Sequence, residues 1–172
     1  MECIEAIKGR RSIRKFKDQP VEKELIGQLL DAARMAPSAG NLQARDFIVI
    51  SDKTTKQKLA NAAMGQSFIE QAPLAIVVIA NIERSSRIYR SRGELYAIQD
   101  ASAGIENILL AAHSMGLGTC WVGAFDVAKV SELLGVPNNI IPVAIIPLGY
   151  PGEQPSAPPR MVQDRLVHWE KW

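Results

Sequence analysis

Apolar and polar positions recur along this chain with two different periods, and the changes of period mark its elements. From Glu22 to Met35 the apolar residues Leu25, Ile26, Leu29, Leu30 and Ala33 fall at helical spacing, and Pro37 ends the run. Phe47 to Ile50 is a short β-branched run followed by Ser51-Asp52, which predicts a strand and then a turn. Thr54 to Met64 predicts a second helix. After Pro73, Leu74 to Ala80 is apolar without a break, the pattern of a strand covered on both faces. Glu94 to Met115 is the longest predicted helix. Its residues Ile98, Ala101, Ile105, Ile108, Ala112 and Met115 alternate spacings of three and four, a seam that calls for another helix alongside, in this chain or a second one. Gly116 and Gly118 stop it.

Beyond that helix, Thr119 to Val122 predicts a short strand and Val127 to Leu134 a short helix closed by Gly135. Ile140 to Leu148 is the last apolar segment, and Pro142 and Pro147 predict an edge or irregular strand there. Pro151 to Pro159 holds four prolines and a glycine, hence an extended arm. It leads to Leu166–Trp172, where Trp169 and Trp172 need a surface to cover them. An arm that embraces a partner subunit and an arm that packs on its own domain fit these features equally. Helices and strands interleave around one buried sheet, so the class is α/β or α+β, in a single domain over 1–172.

Composition narrows the picture. Apolar residues make up 47% and charged residues 22% of 172 residues, which excludes disordered and fibrous classes. No apolar stretch approaches the roughly 20 residues a membrane span needs. The opening Met1-Glu2-Cys3 turns basic with no apolar segment behind the charges, so the expected location is cytoplasmic, with no membrane partner. Cys3 and Cys120 lack metal-ligand spacing, and with His113 and His168 as the only histidines no metal site is expected; each cysteine reads as a small buried hydrophobe.

Net charge is only +2, but its distribution is uneven. Arg10-Arg11-Ser12-Ile13-Arg14 places three guanidinium groups and a hydroxyl within five residues, a set suited to a phosphate dianion because the planar fork pairs bidentately with phosphate oxygens. A solvated basic stretch and a nucleic-acid arm are the other readings; apolar residues interspersed in the segment argue that it docks, against nucleic acid as a partner. Pro37 to Gln43 is a loop of small and amide side chains able to meet a polar ring edge. Gly116 to Asp126 contains a strand ending in two small residues, which lets a flat ligand approach the backbone. There is no Gly-rich dinucleotide fingerprint, no Walker sequence and no nucleophile and base for a hydrolase, so a cofactor would carry any reaction.

Taken in order, Arg10 to Arg14, the Ala36-Pro37-Ser38-Ala39-Gly40-Asn41-Leu42-Gln43 loop, the Gly116-Leu117-Gly118-Thr119-Cys120-Trp121-Val122-Gly123 turn and Pro159-Arg160-Met161-Val162 resemble the nitroreductase-like flavoproteins. Asp100-Ala101-Ser102-Ala103 resembles that family's central dimer helix. The resemblance spans nearly the whole chain. It implies an α+β fold with a mixed, largely antiparallel sheet flanked by helices. It also implies an intertwined homodimer whose C-terminal arm, 151–172, embraces the partner, with flavin mononucleotide (FMN) at the interface. Members take a hydride from NADH or NADPH onto the flavin, release the nicotinamide, and pass electrons to a small-molecule acceptor such as a nitroaromatic or a quinone.

Carried onto this chain, the resemblance implies that Arg10, Ser12 and Arg160 hold the FMN phosphate and ribityl chain, with Arg11 in the same motif. Arg14 would face the pyrimidine side and favour the reduced, anionic flavin. Pro37, Ser38, Ala39 and Asn41 would line the ring from the other subunit, and Gln66 would meet the pyrimidine edge. Val122, Gly123 and Ala124 would aim backbone N–H groups at the ring, with Gly123 and Arg14 tuning the flavin and no side chain acting as nucleophile. Two positions depart from the family pattern. Ala44-Arg45-Asp46 replaces a common Pro-Trp, and Pro158-Pro159 stands where a second basic residue is common. Between Ala80 and Leu95 the family often has a lid, and here Arg84, Arg87, Arg90 and Arg92 make it basic, an expected attraction for an anionic partner. Flavin fragmentation or dehalogenation on the same scaffold, and a non-enzymatic flavin-binding redox sensor, are the alternatives.

Overall fold

The computed structural model describes residues 1–172. Helix α1 (Cys3–Gly9) opens the chain, followed by α2 (Lys23–Arg34), strand β1 (Arg45–Ile50), α3 (Lys53–Ala62), the single turn α4 (Phe68–Gln71) and β2 (Leu74–Ala80). Then come α5 (Ile82–Tyr89), the 22-residue α6 (Gly93–Ser114), β3 (Gly118–Thr119), α7 (Val127–Leu134) and β4 (Ile141–Gly149). Local chemistry sets several starts and stops. Asp52 and Asp126 cap α3 and α7 by accepting the N–H of Thr55 and Lys129, Asn81 caps α5 at Arg84, and Gly135 ends α7 in the left-handed conformation.

The strands form one sheet in the order β1-β2-β4-β3, every pair antiparallel. Its parallel component is a single bridge between Ser12 and Thr119. All seven residues of β2 are buried, as the unbroken apolar run predicts. Leu74, Ile76, Val78 and Ala80 face α2 and α6, packing with Leu29, Ala33, Ala101, Ile105 and Ile108. Ala75, Val77 and Ile79 face the opposite layer, with Leu59, Ile69 and Val130. The sheet is therefore sandwiched between two helical layers. The seam on α6 is met by α2 and α5 of the same chain.

Of the two expectations for the last strand, irregularity is met by a register slip, and an edge position is not. β4 lies inside the sheet between β2 and β3, and two features reconcile its prolines with that place. Pro142 sits opposite Ile79, where the ladder slips register in a bulge. The nitrogen of Pro147 points to the side where Ile145 bonds Val122, and it falls between that bridge and the short β3 pairing of Thr119 with Leu148. No ladder donor is required in the gap. Cys3 is the second correction: it is exposed, because α1 buries only Ala6 and leaves Ile4 and Ile7 in solvent as well, whereas Cys120 is buried as expected. The start of the arm, Pro151 to Glu153, pairs with Arg14 to Phe16 of its own chain, and beyond it every residue from Gln154 to Trp172 is exposed, Trp172 fully. No helix is long and apolar enough to cross a membrane.

Candidate functional site

The two ends of the chain meet at one cavity of about 370 Å³, lined by Arg10, Arg11, Ser12, Arg14, Pro155, Ser156, Pro158 and Arg160, without a hydrophobic residue. Backbone pairing fastens them there. Ile13 N–H donates to Thr119 O at 2.9 Å, Gly152 N–H to Lys15 O at 2.8 Å, and the Glu153 carboxylate accepts from the N–H of Arg14 at 2.6 Å and of Lys15 at 3.0 Å. Gly118 is required for this docking: a Cβ there would stand 2.8 Å from the Ile13 side chain.

Four ion pairs occur in the chain, and none engages Arg10, Arg14 or Arg160. All three border the cavity without a carboxylate partner. Arg11 differs, since its guanidinium donates to the carbonyls of Lys8 and Arg10, both at 2.7 Å, and so closes the end of α1. A neighbouring cavity of about 290 Å³ shares Arg10, Arg11 and Pro155 and contains His113. Burial lowers the His113 pKa, and the positive charges of Arg10 and Arg11 lower it further.

A strip of backbone continues from Ser12 through β3. Cys120 lies buried beside it, its thiol pushed up by burial against weaker opposite pulls from Arg14 and Ser12. Val122 is in place, but its N–H is engaged by Ile145 O at 3.0 Å, so it has no donor for a ligand. The N–H groups of Gly123 and Ala124 have no acceptor within the chain. The space over Gly123 is open; a Cβ there would meet only the Trp121 indole, at 3.9 Å. Gln66 joins the same strip, its amide nitrogen donating to Ala63 O at 2.9 Å and Ala124 O at 3.2 Å, which leaves its oxygen as an acceptor. Arg14 lies over the Phe68 ring at 5.8 Å.

An elongated ligand with an anionic end fits this chemistry. Unpaired guanidinium groups would meet the anion, while two free N–H groups and one free amide oxygen would meet a polar ring edge. The residues fit FMN by those donors and acceptors. A different polar cavity, about 360 Å³ beside Asp18, Lys53, Lys56 and Glu70, offers less, because the buried Lys56 ammonium is held by the carbonyls of Ala72 and Pro73.

Pro37, Ser38, Ala39 and Asn41 lie elsewhere. Their loop contains three residues in the left-handed region, Gly40, Asn41 and Gln43. Ser38 Oγ accepts from Gln43 N–H at 3.0 Å, and the buried Asp100 carboxylate accepts from Ala39 N–H at 2.9 Å and Ala44 N–H at 3.2 Å. Arg45, 4% exposed, donates to the carbonyls of Arg34, Ala36, Pro37 and Asp100. The loop thus meets α6 at Asp100, whereas the α6 residue that shares a cavity with Arg10 and Arg11 is His113, thirteen residues or about 20 Å of helix rise away.

Two of the four arginines in the basic segment are paired with carboxylates of the same chain, which reduces the expected anion attraction. Arg84 pairs with Asp46 at 2.9 Å and caps Gln43 O at 2.5 Å, and Arg87 pairs with Glu83 at 2.7 Å. Arg92 lies 5.0 Å over the Tyr96 ring and bonds its hydroxyl, and Arg90 alone lacks a partner. Tyr89 packs against the loop at Gly40, where a Cβ would stand 2.6 Å from its hydroxyl.

Sequence reasoning missed Arg45, Glu153 and Phe68. One signal was available for the first: Gly104, in the interior of the α6 pattern, opens the lane that Arg45 occupies, since a Cβ there would stand 3.0 Å from Arg45 Cδ.

Comparison with known proteins follows the same lines. The model of the nitroreductase family matches residues 7–69 and 64–150. A Methanothermobacter thermautotrophicus protein, provisionally named NADH dehydrogenase/NAD(P)H nitroreductase, is 39% identical over 100% of this chain and 88% of its own. The FMN reductase [NAD(P)H] of Bacillus subtilis is 30% identical over 99% of this chain and 74% of its own. The solved NADPH:FMN oxidoreductase of Vibrio harveyi, in complex with NAD+, superposes with a TM-score of 0.92 at 31% identity, over 99% of this chain and 77% of that one.

Proposed function

Because this chain belongs to the nitroreductase family, we propose that it is an FMN-dependent NAD(P)H oxidoreductase passing electrons to a small-molecule acceptor, such as a nitroaromatic or a quinone, in a ping-pong sequence. The observation that carries this is the cavity where Arg10 and Arg14 meet Arg160, their charges unpaired, at the head of a strip with free N–H groups. FMN, when bound, supplies the carrier that accepts a hydride from the nicotinamide and releases it to the second substrate.

The chain's own residues bind, orient and tune. Arg10, Ser12 and Arg160 hold the phosphate and ribityl chain, and Arg11 stiffens the turn between them and α1. Gly123 and Ala124 donate N–H groups to the ring edge, and Gln66 accepts from its pyrimidine side. Arg14 adds positive charge where negative charge develops on reduction, which favours the reduced form. The active unit is a homodimer. Within one chain the Pro37–Asn41 loop meets α6 at Asp100, thirteen residues before the His113 that neighbours Arg10 and Arg11, and a second copy brings that loop to the ring. The exposed Ile4, Ile7, Met161, Val162, Leu166, Trp169 and Trp172 supply apolar area for such an interface, with arm 151–172 around the partner.

Visible absorption of the purified chain mixed with FMN, then with NADH or NADPH without oxygen, tests the reading. Flavin bands that bleach on adding the nicotinamide are expected. A chain that takes up no FMN, or whose bound flavin does not bleach, overturns it.

A further inference from the structure

The loop at Pro37–Gln43 is built against its own preferences. Three of its residues have positive φ, two of them not glycine, a conformation that costs about 1 kcal/mol or more per residue outside glycine unless the surroundings hold it. What holds it is buried and charged. The Asp100 carboxylate accepts one N–H from each side of the loop, at Ala39 and Ala44. The Arg45 guanidinium collects four carbonyls: Arg34 and Ala36 at the end of α2, Pro37 at the loop's entry, and Asp100 in α6. Both residues are 4% exposed.

Two further features belong to the same construction. Gly104 stands one helical turn after Asp100 and leaves space for the Arg45 stem, where alanine would crowd Arg45 Cδ at 3.0 Å and the Ala33 carbonyl at 3.4 Å. A mid-helix glycine weakens a helix by about 1 kcal/mol relative to alanine, a cost that this passage, with the close approach of α2 at Ala33, accounts for. On the far side Arg84 ties Gln43 O to the Asp46 carboxylate, which also receives the Asn81 amide at 2.7 Å. The loop is therefore gripped at entry, middle and exit, with the Ser38 hydroxyl turned inward onto Gln43 N–H and Asn41 exposed.

We infer that Arg45, Asp100 and Gly104 form a buried clamp whose work is to preset the Pro37–Gln43 loop for the flavin ring of the neighbouring subunit. The inference rests on the flavin reading above. Arg45 and Asp100 are positioning residues: they touch the loop and not the ligand. Lysine cannot replace arginine here, because a single ammonium cannot reach carbonyls on α2, the loop and α6 together as a planar fork does. Asparagine at 100 keeps one acceptor oxygen and loses the other, releasing either Ala39 or Ala44.

The test uses the full chain as wild type, Arg45→Lys, Asp100→Asn and Gly104→Ala, with two readouts. Amide exchange without FMN is followed at Ala39 and Ala44, with Ile76 and Val78 of β2 reporting the fold. FMN affinity is measured by quenching of flavin fluorescence. In Arg45→Lys and Asp100→Asn, exchange at the loop amides is expected to quicken about tenfold while β2 stays protected, and the FMN Kd to rise about tenfold, the factor one charge-assisted hydrogen bond carries. Gly104→Ala shifts both in the same direction by less, and it decides the matter if Arg45→Lys also loses β2 protection. A role limited to balancing the Asp100 charge is served by lysine, so an unmoved Kd in Arg45→Lys overturns the proposal and leaves the flavin reading standing. Loosened loop amides with an unchanged Kd overturn it equally. A wild-type chain that takes up no FMN overturns both.

Discussion

Arginine does opposite work in two regions of this molecule. At the meeting of the chain ends, Arg10, Arg14 and Arg160 border an open polar cavity with no carboxylate to pair with. Beneath the Pro37–Gln43 loop, Arg45 is buried and four carbonyls already hold its donors. The first arrangement leaves charge available for a ligand and adds little to folding. The second fixes a shape and has nothing left for a ligand. An arginine count along the sequence cannot separate the two; burial and the nearby acceptors do.

The comparison makes its sharpest prediction about stability. Arg45→Met removes the donors from four carbonyls and the counter-charge from the buried Asp100 carboxylate, and is expected to cost about 3 kcal/mol or more in denaturant unfolding, whereas Arg10→Ala stays within about 0.5 kcal/mol of wild type. Equal losses in the two variants would erase the distinction. For FMN the contrast is in the reporter: Arg10→Ala and Arg160→Ala each weaken binding by about tenfold or more through a lost charge-assisted contact, and binding to the wild type falls as salt rises. Titration at two salt concentrations checks this, and salt-independent affinity would break it.

A smaller effect is expected at His113, which adjoins the arginine region. Its folded pKa is lowered, by burial first and by Arg10 and Arg11 second, so the unfolded chain binds the proton more readily. The full stability is present above the unfolded value of about 6.5 and is lost as pH falls through the folded value. His113→Gln should flatten that acid limb; thermal midpoints between about pH 7.5 and about pH 5.5 that fall equally in variant and wild type would argue against it. The least effect is expected from Arg87→Ala, since its exposed pair with Glu83 contributes less than about 0.5 kcal/mol. NAD(P)H kinetics unchanged by salt and by Arg87→Ala with Arg90→Ala would remove any role for the basic segment in nucleotide binding.

Much of the fold was legible in the chain because apolar periodicity reports burial directly. The run Leu74–Ala80 announced a strand covered on both faces, and the spacing from Ile98 to Ala112 announced the long helix on one of them. The short elements α1 and α4 were not legible, having too few residues to show a period. The irregularity of β4 was legible in its prolines, but its place inside the sheet was not, because the cost of a proline depends on which neighbour faces its missing N–H, and that is decided across strands. The site divides in the same way. Residue types able to hold a phosphate and a ring edge could be read from Arg10 to Arg14 and from Gly116 to Ala124. That the N–H of Val122 is already engaged, and that those of Gly123 and Ala124 are not, follows from sheet pairing alone.

By itself, then, the sequence determined a layered class in which helices and strands interleave around a buried sheet, the order of the main elements and the inventory of charged and small residues for a site, since each depends on local pattern or composition; α+β and the flavin came from the family resemblance. Tertiary structure alone decided that Arg10 and Arg160, 150 positions apart, line one cavity, and that Arg45 is withdrawn from the charged surface. The physical reason is common to both. A charge acts according to its distance from other charges and from water, and only the folded chain sets those distances.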